Sequence, residues 1–307
     1  MASYRLRSAD LDYVRAAASK YAQLDTGVRA WMPIETIPRA YTSKWYTLEE
    51  VPAPAVSLDG ADYIGMRTAR LEGSNPLVFM RYKFSWDITE YEAARRAGVP
   101  LPADDATIAL RMINDKIAQM VIEGLDWPDV IQGATEVGTD LGATLDATMV
   151  GTADSFITHA STAYNHMLTN GFRGPYNWIV SDGVAQYLGL PLGAGGGQSQ
   201  GNYIDDTFGF TTYIERSTAA ATLAANIELG LEDNCWPMVY TADDGIWVLL
   251  AANQENMALQ EVHPPRVTVN PELNRDSNKY EGYVEWQGTV RFTHAASAGF
   301  MEDVDVA

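Results

Sequence analysis

The sequence predicts an α+β fold built along one long helix, and three observations carry that class. One amphipathic helix reads from Pro102 to Glu123. Residues 41–88 are strand-like and show no helical periodicity anywhere along their length. The end of the chain returns to strand, most clearly from Tyr280 to Phe292, where Val284, Trp286, Val290 and Phe292 alternate.

The long helix has its own start and stop signals. Pro102 presets φ, and Asp104 and Asp105 place carboxylates at the positive end of the helix dipole. Ala106, Leu110, Ile113, Ile117, Met120 and Val121 recur at spacings of three and four and form one apolar stripe. Arg111, Asn114, Asp115 and Gln119 fall mostly off it, and Gly124 stops the helix. At 1.5 Å per residue the element reaches roughly 33 Å, long enough to act as a spine.

Ahead of it, Ser8 to Leu24 predict a first helix, with Ser8 as cap and Leu11, Val14, Ala18 and Tyr21 on one face, ended by Gly27. Trp31 to Pro38 (WMPIETIP) is too interrupted by proline for regular structure. In 41–88 a strand spans Tyr41 to Leu48, a second spans Asp62 to Leu71, and a turn covers Glu72 to Pro76. The next strand sets Val78, Met80, Tyr82, Phe84, Trp86 and Ile88 against Arg81, Lys83, Ser85 and Asp87. A β arm of this kind buries little against itself, and an isolated ribbon is marginal in water. It lies on its own domain or on a neighbouring molecule, and the stability argument favours the neighbour. Thr89 to Ala97 is a short helix with a T-x-x-E box, Thr89 and Glu92, closed by Gly98.

After the spine, 124–151 is a turn-rich link. A helix from Thr152 to Thr169 turns Phe156, Ile157, Ala160, Tyr164, Met167 and Leu168 inward. Gly174-Pro175 leads into an apolar strand, Tyr176 to Val180, and a short helix capped by Ser181 or Asp182 ends near Gly189. A glycine-rich loop, Gly193 to Gly201, precedes strand-like sequence from Tyr203 to Glu215, and Ser217 to Leu229 has helical character. Strands at Gly245–Ala251 and Val267–Val269 come before the alternating one.

Composition bounds the function. At 307 residues and 47% hydrophobic content the chain builds a sizeable core, and wholesale disorder is excluded. The longest clear apolar run, Ile246 to Ala252, is strand-sized and far short of a membrane span, and the N-terminal residues lack the apolar core of a signal peptide. Cys235 is the single cysteine, which excludes an internal disulfide and a cysteine-cluster metal site. A net charge of −19 argues against a phosphate-binding surface. Only five of the 21 basic residues are lysines (20, 44, 83, 116 and 279), a balance produced both by salt-adapted surfaces and by GC-rich genomes.

Gly197-Gln198-Ser199-Gln200-Gly201 matches the G-x-S-x-G nucleophile elbow, with His263 and His294 downstream as potential bases. The elbow needs a strand before and a helix after, whereas glycines lead in here and strand-like sequence follows, so the reading is flexible linker. His159 and His166 share a helix face seven residues apart, a spacing unlike the three or four of helical metal sites. Asp104-Asp105, Asp205-Asp206 and Asp243-Asp244 are adjacent pairs that point apart and serve as caps, turns and solvated faces. Glycines 193–197 lack the lysine of a phosphate loop. The sequence predicts no catalytic residue, no metal ligand and no cofactor.

The order of elements, with RYKFSWDITEYEAARRAG closing the β arm and IAQMVIEG closing the spine, resembles the tailed-phage major capsid proteins of the Hong Kong 97-type fold, which encapsulins share. NGFRGPYNWIVSDGVAQYL (170–188) is similar to the encapsulin-like stretch where a helix turns through Gly-Pro-Tyr into an axial-domain strand. YVEWQGTVRFTHAASAGF is similar to the strand returning to the peripheral domain. The resemblance covers nearly the whole chain. It implies an N-terminal arm and helix (1–40), an extended loop (41–88), a peripheral domain with the spine helix (89–145), an axial domain (146–245) and return strands (246–307).

What the resemblance implies for function is an icosahedral shell subunit meeting its copies in pentamers and hexamers, located in the virion after assembly in the host cytoplasm. Portal, scaffold or decoration proteins are the implied partners, and DNA is enclosed without sequence-specific binding. The chain departs from encapsulins at its start, where VRAWMPIETIP is more like phage capsid sequence. It has no long charged coiled coil to act as internal scaffold, and no matching lysine and asparagine for covalent cross-linking. A nanocompartment packaging a cargo enzyme is the first alternative, and a serine hydrolase using Ser199 is a distant one.

Overall fold

A computed structural model describes residues 6, 9, 11–14, 16, 27–39, 42–48, 70–98, 104–125, 131–142, 155–181, 185–189, 191, 198–215, 244–274 and 277–305. Two sheets and two principal helices build the core. The elements run α1 (Gly27–Trp31), β1 (Ile34–Thr36), β2 (Thr42–Leu48), β3 (Arg70–Pro76), β4 (Val78–Asp87), α2 (Ile88–Ala97) and the spine helix α3 (Asp104–Ile122). Next come β5 (Gly124–Leu125), β6 (Ile131–Gln132), α4 (Ala134–Val137), β7 (Thr139–Asp140), α5 (Ser155–Thr169), β8 (Tyr176–Ser181), α6 (Gln200–Phe208) and β9 (Phe210–Glu215). The chain closes with β10 (Asp244–Ala251), β11 (Met257–Val269), β12 (Lys279–Phe292) and β13 (Ala298–Asp305).

The first sheet has the order β1-β11-β12-β4. Its inner face is the alternating set read from sequence: Val78, Met80, Phe84 and Trp86 from β4, with Tyr280, Val284, Trp286, Val290 and Phe292 from β12. Against it lies the spine, whose stripe of Ala106, Leu110, Ile113, Ile117, Met120 and Val121 is buried throughout. Gly124 takes a φ of +91° directly after the spine, and a Cβ there would collide with the Ile131 carbonyl, so glycine is required where the chain turns into β5.

The second sheet has the order β7-β13-β10-β8-β9 and carries α5 on one face. Phe156, Ala160, Ala163 and Met167 of α5 pack with Trp178, Val180, Trp247 and Leu249. The opposite side chains, Ile179, Val248, Leu250 and Phe300, join the spine's core instead. A sheet buried on both faces reads as a continuous apolar run. That is why Ile246 to Ala252 shows no alternation in sequence.

Several sequence expectations are corrected. Gly27 begins a helical turn rather than only ending one, and within the proline-rich segment Ile34–Thr36 forms a strand parallel to β11. Glu72 to Pro76 is strand, not turn: all of Arg70–Pro76 pairs with Thr42–Leu48. The cap of α2 is Asp87, which accepts from Thr89 N, with Glu90 returning to the Asp87 N–H, so the capping box sits two residues earlier than Thr89/Glu92. Leu168 is exposed, whereas Ala163 and His159 on the same helix are buried. Tyr203 to Phe208 is helical, and strand begins only at Phe210.

The Val267–Val269 strand is the end of a thirteen-residue one. Pro264 and Pro265 disguised it in sequence. The structure accommodates them with register shifts between Glu261 and His263 and between His263 and Arg266. Strand β13 falls within the 246–307 return strands that the resemblance implies, but no periodicity in the sequence predicts it as a separate element. The predicted helices 8–24 (only 9, 11–14 and 16 are described, as helical) and 217–229, and the strand residues 62–69, lie largely or wholly outside the described residues.

Candidate assembly surface

Strands β2 and β3 form a two-stranded ribbon separate from both main sheets. Its base is tied to the outer face of the first sheet, the face away from the spine. Ser43 Oγ donates to Gln260 Oε1 at 2.5 Å, and Asn75 Nδ2 donates to the Val290 carbonyl at 2.7 Å. Gln260 Nε2 in turn donates to Glu35 Oε2 at 2.8 Å, and Arg291 Nη1 lies 3.2 Å from the same oxygen. Both strands of the ribbon are thus clamped at its foot by buried or half-buried polar groups, each worth about 1 kcal/mol when satisfied.

Farther along the same face, β4, β11 and β12 present a charged and aromatic group. Arg81 and Arg266 converge on Glu285, at 3.0 Å and 2.5 Å, and Lys83 Nζ reaches Glu281 Oε1 at 2.7 Å. The Arg81 guanidinium also lies over the rings of Phe79 (5.0 Å) and Tyr283 (4.8 Å). Burial pushes the Glu285 carboxyl up, but hydrogen bonds from Arg266 and Arg81 outweigh it and hold the group below the usual carboxylate range. Hydrogen bonding from Lys83 holds Glu281 low as well.

On the inner side of this sheet sits a buried carboxylate. Glu261 Oε2 accepts from Arg29 Nη1 at 2.6 Å and from Trp286 Nε1 at 3.2 Å. The pair ties α1, within the segment that sequence patterns marked as phage-like, to the middle of the sheet.

The residues with candidate chemistry are dispersed. Ser199 is the N-cap of α6, its Oγ accepting from Asn202 N at 3.3 Å. A helix therefore does follow the serine, contrary to the sequence reading, but it enters from an isolated bridge with Pro191 rather than from a strand. His263 is exposed with Nδ1 near the Pro264 carbonyl, and His294 packs on Phe172. Among the described residues neither is hydrogen-bonded to Ser199. His159 is buried and accepts from Trp247 Nε1 at 3.1 Å, whereas His166 faces Leu141 and Gly299 near the helix end, its ring pushed toward neutrality by burial.

Asp205 accepts from Thr212 and Asp206 from Gln198, so the pair diverges. Asp205 is raised by burial. Asp104 opens the spine helix with Asp105 exposed beside it, while Asp244 begins β10 and Asp243 lies outside the described residues. Among the described residues no group of three His, Cys, Asp or Glu side chains is placed to hold a metal ion, and no helix is long and apolar enough to cross a membrane.

The chain is similar to the capsid of Myoviridae phage XM1, with a TM-score of 0.62 and 14% identity over 90% of this chain and 91% of that one. It is also similar to a virus-like particle from Pyrococcus furiosus, with a TM-score of 0.63 and 11% identity over 94% and 98%. A chain of Mycobacterium phage Bobi gives a TM-score of 0.61 and 14% identity over 89% of each. No family model and no curated protein matches by sequence.

The fold is therefore that of the shell-building proteins. In particular it is the Hong Kong 97-type fold, matched over 89% to 94% of this chain.

Proposed function

We propose that this protein is the major capsid protein of a tailed virus, self-assembling into an icosahedral shell that encloses double-stranded DNA. The observation that carries the reading is the β2–β3 ribbon: a separate two-stranded element, anchored at its foot through Ser43 and Asn75, within a fold similar to that of a phage capsid over 90% of this chain. A ribbon of this kind is marginal alone and gains stability by lying on another surface. In this reading β2 and β3 belong to the extended loop (41–88), the spine to the peripheral domain (89–145), α5, β8 and β9 to the axial domain (146–245), and β11 and β12 to the return strands (246–307).

The shell is a homo-oligomer of pentamers and hexamers in the virion, assembled in the host cytoplasm, with portal, scaffold or decoration proteins as its partners. Its role is structural rather than enzymatic. The correspondence with a virus-like particle from Pyrococcus furiosus also supports a second reading, a nanocompartment enclosing a cargo enzyme on the same fold.

Negative-stain microscopy of the purified protein tests the shared claim: closed hollow particles are expected, and a monomer at every concentration and salt tried refutes it. Particles from the native source separate the two readings. DNA with portal and tail proteins identifies the virus, and a single enclosed enzyme identifies the nanocompartment.

A further inference from the structure

The outer face of the first sheet carries an ordered cluster that, among the described residues, the packing of the subunit leaves open. Phe79, Arg81 and Lys83 stand along β4 at every second residue, which places them on one face. Phe79 is 45% exposed. The side chains of Arg81, Lys83 and Arg266 are 50%, 57% and 58% exposed, while their partners Glu285 and Glu281 are only 9% and 17% exposed. Three cations thus form the outer layer over two sunken carboxylates.

Such a layer runs against the charge of the whole molecule, which is −19. It is also rigid before any partner arrives. Arg81 is held between the Phe79 and Tyr283 rings and bonded to Glu285, and Arg266 is bonded to Glu285 through both Nε and Nη2. Interface energy concentrates in aromatic and arginine side chains, and side chains already ordered lose less entropy on docking.

We propose that the Phe79–Arg81–Lys83–Arg266 face is an intersubunit contact that receives an acidic surface of a second copy of this chain. The occupant follows from charge complementarity: another copy carries 40 acidic against 21 basic residues, and that excess of carboxylates complements a cationic, aromatic-centred patch. Arg81 and Phe79 anchor the contact, and Lys83 and Arg266 set its electrostatic register. The inference rests on the shell reading above.

Lysine footprinting tests it on the unmodified chain. Lys83 is one of five lysines, so its reactivity toward an amine-acylating reagent can be followed by mass spectrometry in free subunits and in assembled particles. About tenfold protection of Lys83 on assembly is expected, and equal reactivity in the two states overturns the proposal. The variant Phe79→Ser/Lys83→Glu, altered only at exposed positions, should keep the wild-type circular dichroism and raise the concentration needed for assembly at least about tenfold. Lys83→Arg should assemble as wild type does.

If the double variant fails to fold, Lys83→Glu alone carries the same expectation. Unimpaired assembly of the folded charge-reversal variant refutes the contact while leaving the shell reading intact, whereas a wild type that never assembles refutes both. Binding of a short DNA duplex by wild-type subunits that is lost in Lys83→Glu would assign the face to nucleic acid and overturn the proposal.

Discussion

His166 and Ser199 illustrate how a residue changes meaning once its surroundings are known. His166 Nε2 is buried without a hydrogen-bond partner of normal geometry, and burial lowers the ring's pKa below its ordinary value against a weaker opposing effect of the Ala296 backbone. The folded state therefore binds fewer protons than the unfolded state. Stability is fully present above the unfolded value of about 6.5 and falls as pH drops below it toward the folded value. The wild-type melting temperature should decline from pH 7.5 to pH 5 more steeply than that of His166→Gln; parallel profiles would contradict this. Ser199→Ala should cost about 1 kcal/mol, because the hydroxyl caps α6, and chemical denaturation reads that loss directly. Esterase turnover abolished by the same change would instead revive the nucleophile.

At the scale of elements, β12 shows how sheet and helix come together. A Cβ added at Gly282 would meet the Phe84 ring, and one added at Gly288 would meet both the Trp286 ring and the Gln260 carbonyl. A ring can shift, but a backbone carbonyl held in a β ladder cannot do so without breaking the ladder. Gly288→Ala should therefore destabilise by about 1–3 kcal/mol, the range for overpacking a filled core, and by more than Gly282→Ala. Thermal unfolding of the two variants ranks them. The Arg29–Glu261 bridge between α1 and β11 makes a similar demand. Arg29→Ala leaves a buried carboxylate with only the Trp286 N–H, and should cost at least about 2 kcal/mol, since a buried charge without its partner is penalised well beyond a surface pair.

On the proposed shell reading, assembly belongs to the whole molecule. Each subunit carries −19, so copies repel, while the patch around Arg81 offers only three cations for attraction. Repulsion is the larger effect, and at molar salt the screening length shrinks to about 3 Å. Particles should accordingly be more stable in high salt than in low, and dissociation on adding salt, followed by light scattering, would contradict that balance. Replacing residues 44–74 by a short glycine linker keeps the anchors Ser43 and Asn75, and should give a folded subunit that does not assemble. Sedimentation velocity distinguishes this from misfolding.

What the sequence determined by itself is whatever local periodicity encodes. The spine stripe from Ala106 to Val121, the inward face of β4 and the alternation of β12 are each set by spacing, because one side of each element is buried and the other is not. The apolar run of β10 announced burial but not pairing, because both of its faces are covered. Only tertiary structure decided that β4 pairs with β12 across some two hundred positions, and that Ile34–Thr36 is a strand because β11 lies beside it. Tertiary structure likewise decided that 203–208 is helix rather than strand. It alone brought Phe79, Arg81, Arg266 and Tyr283 together on one face. Such contacts depend on partners distant in the chain, and no local pattern of residues records which partners they will be.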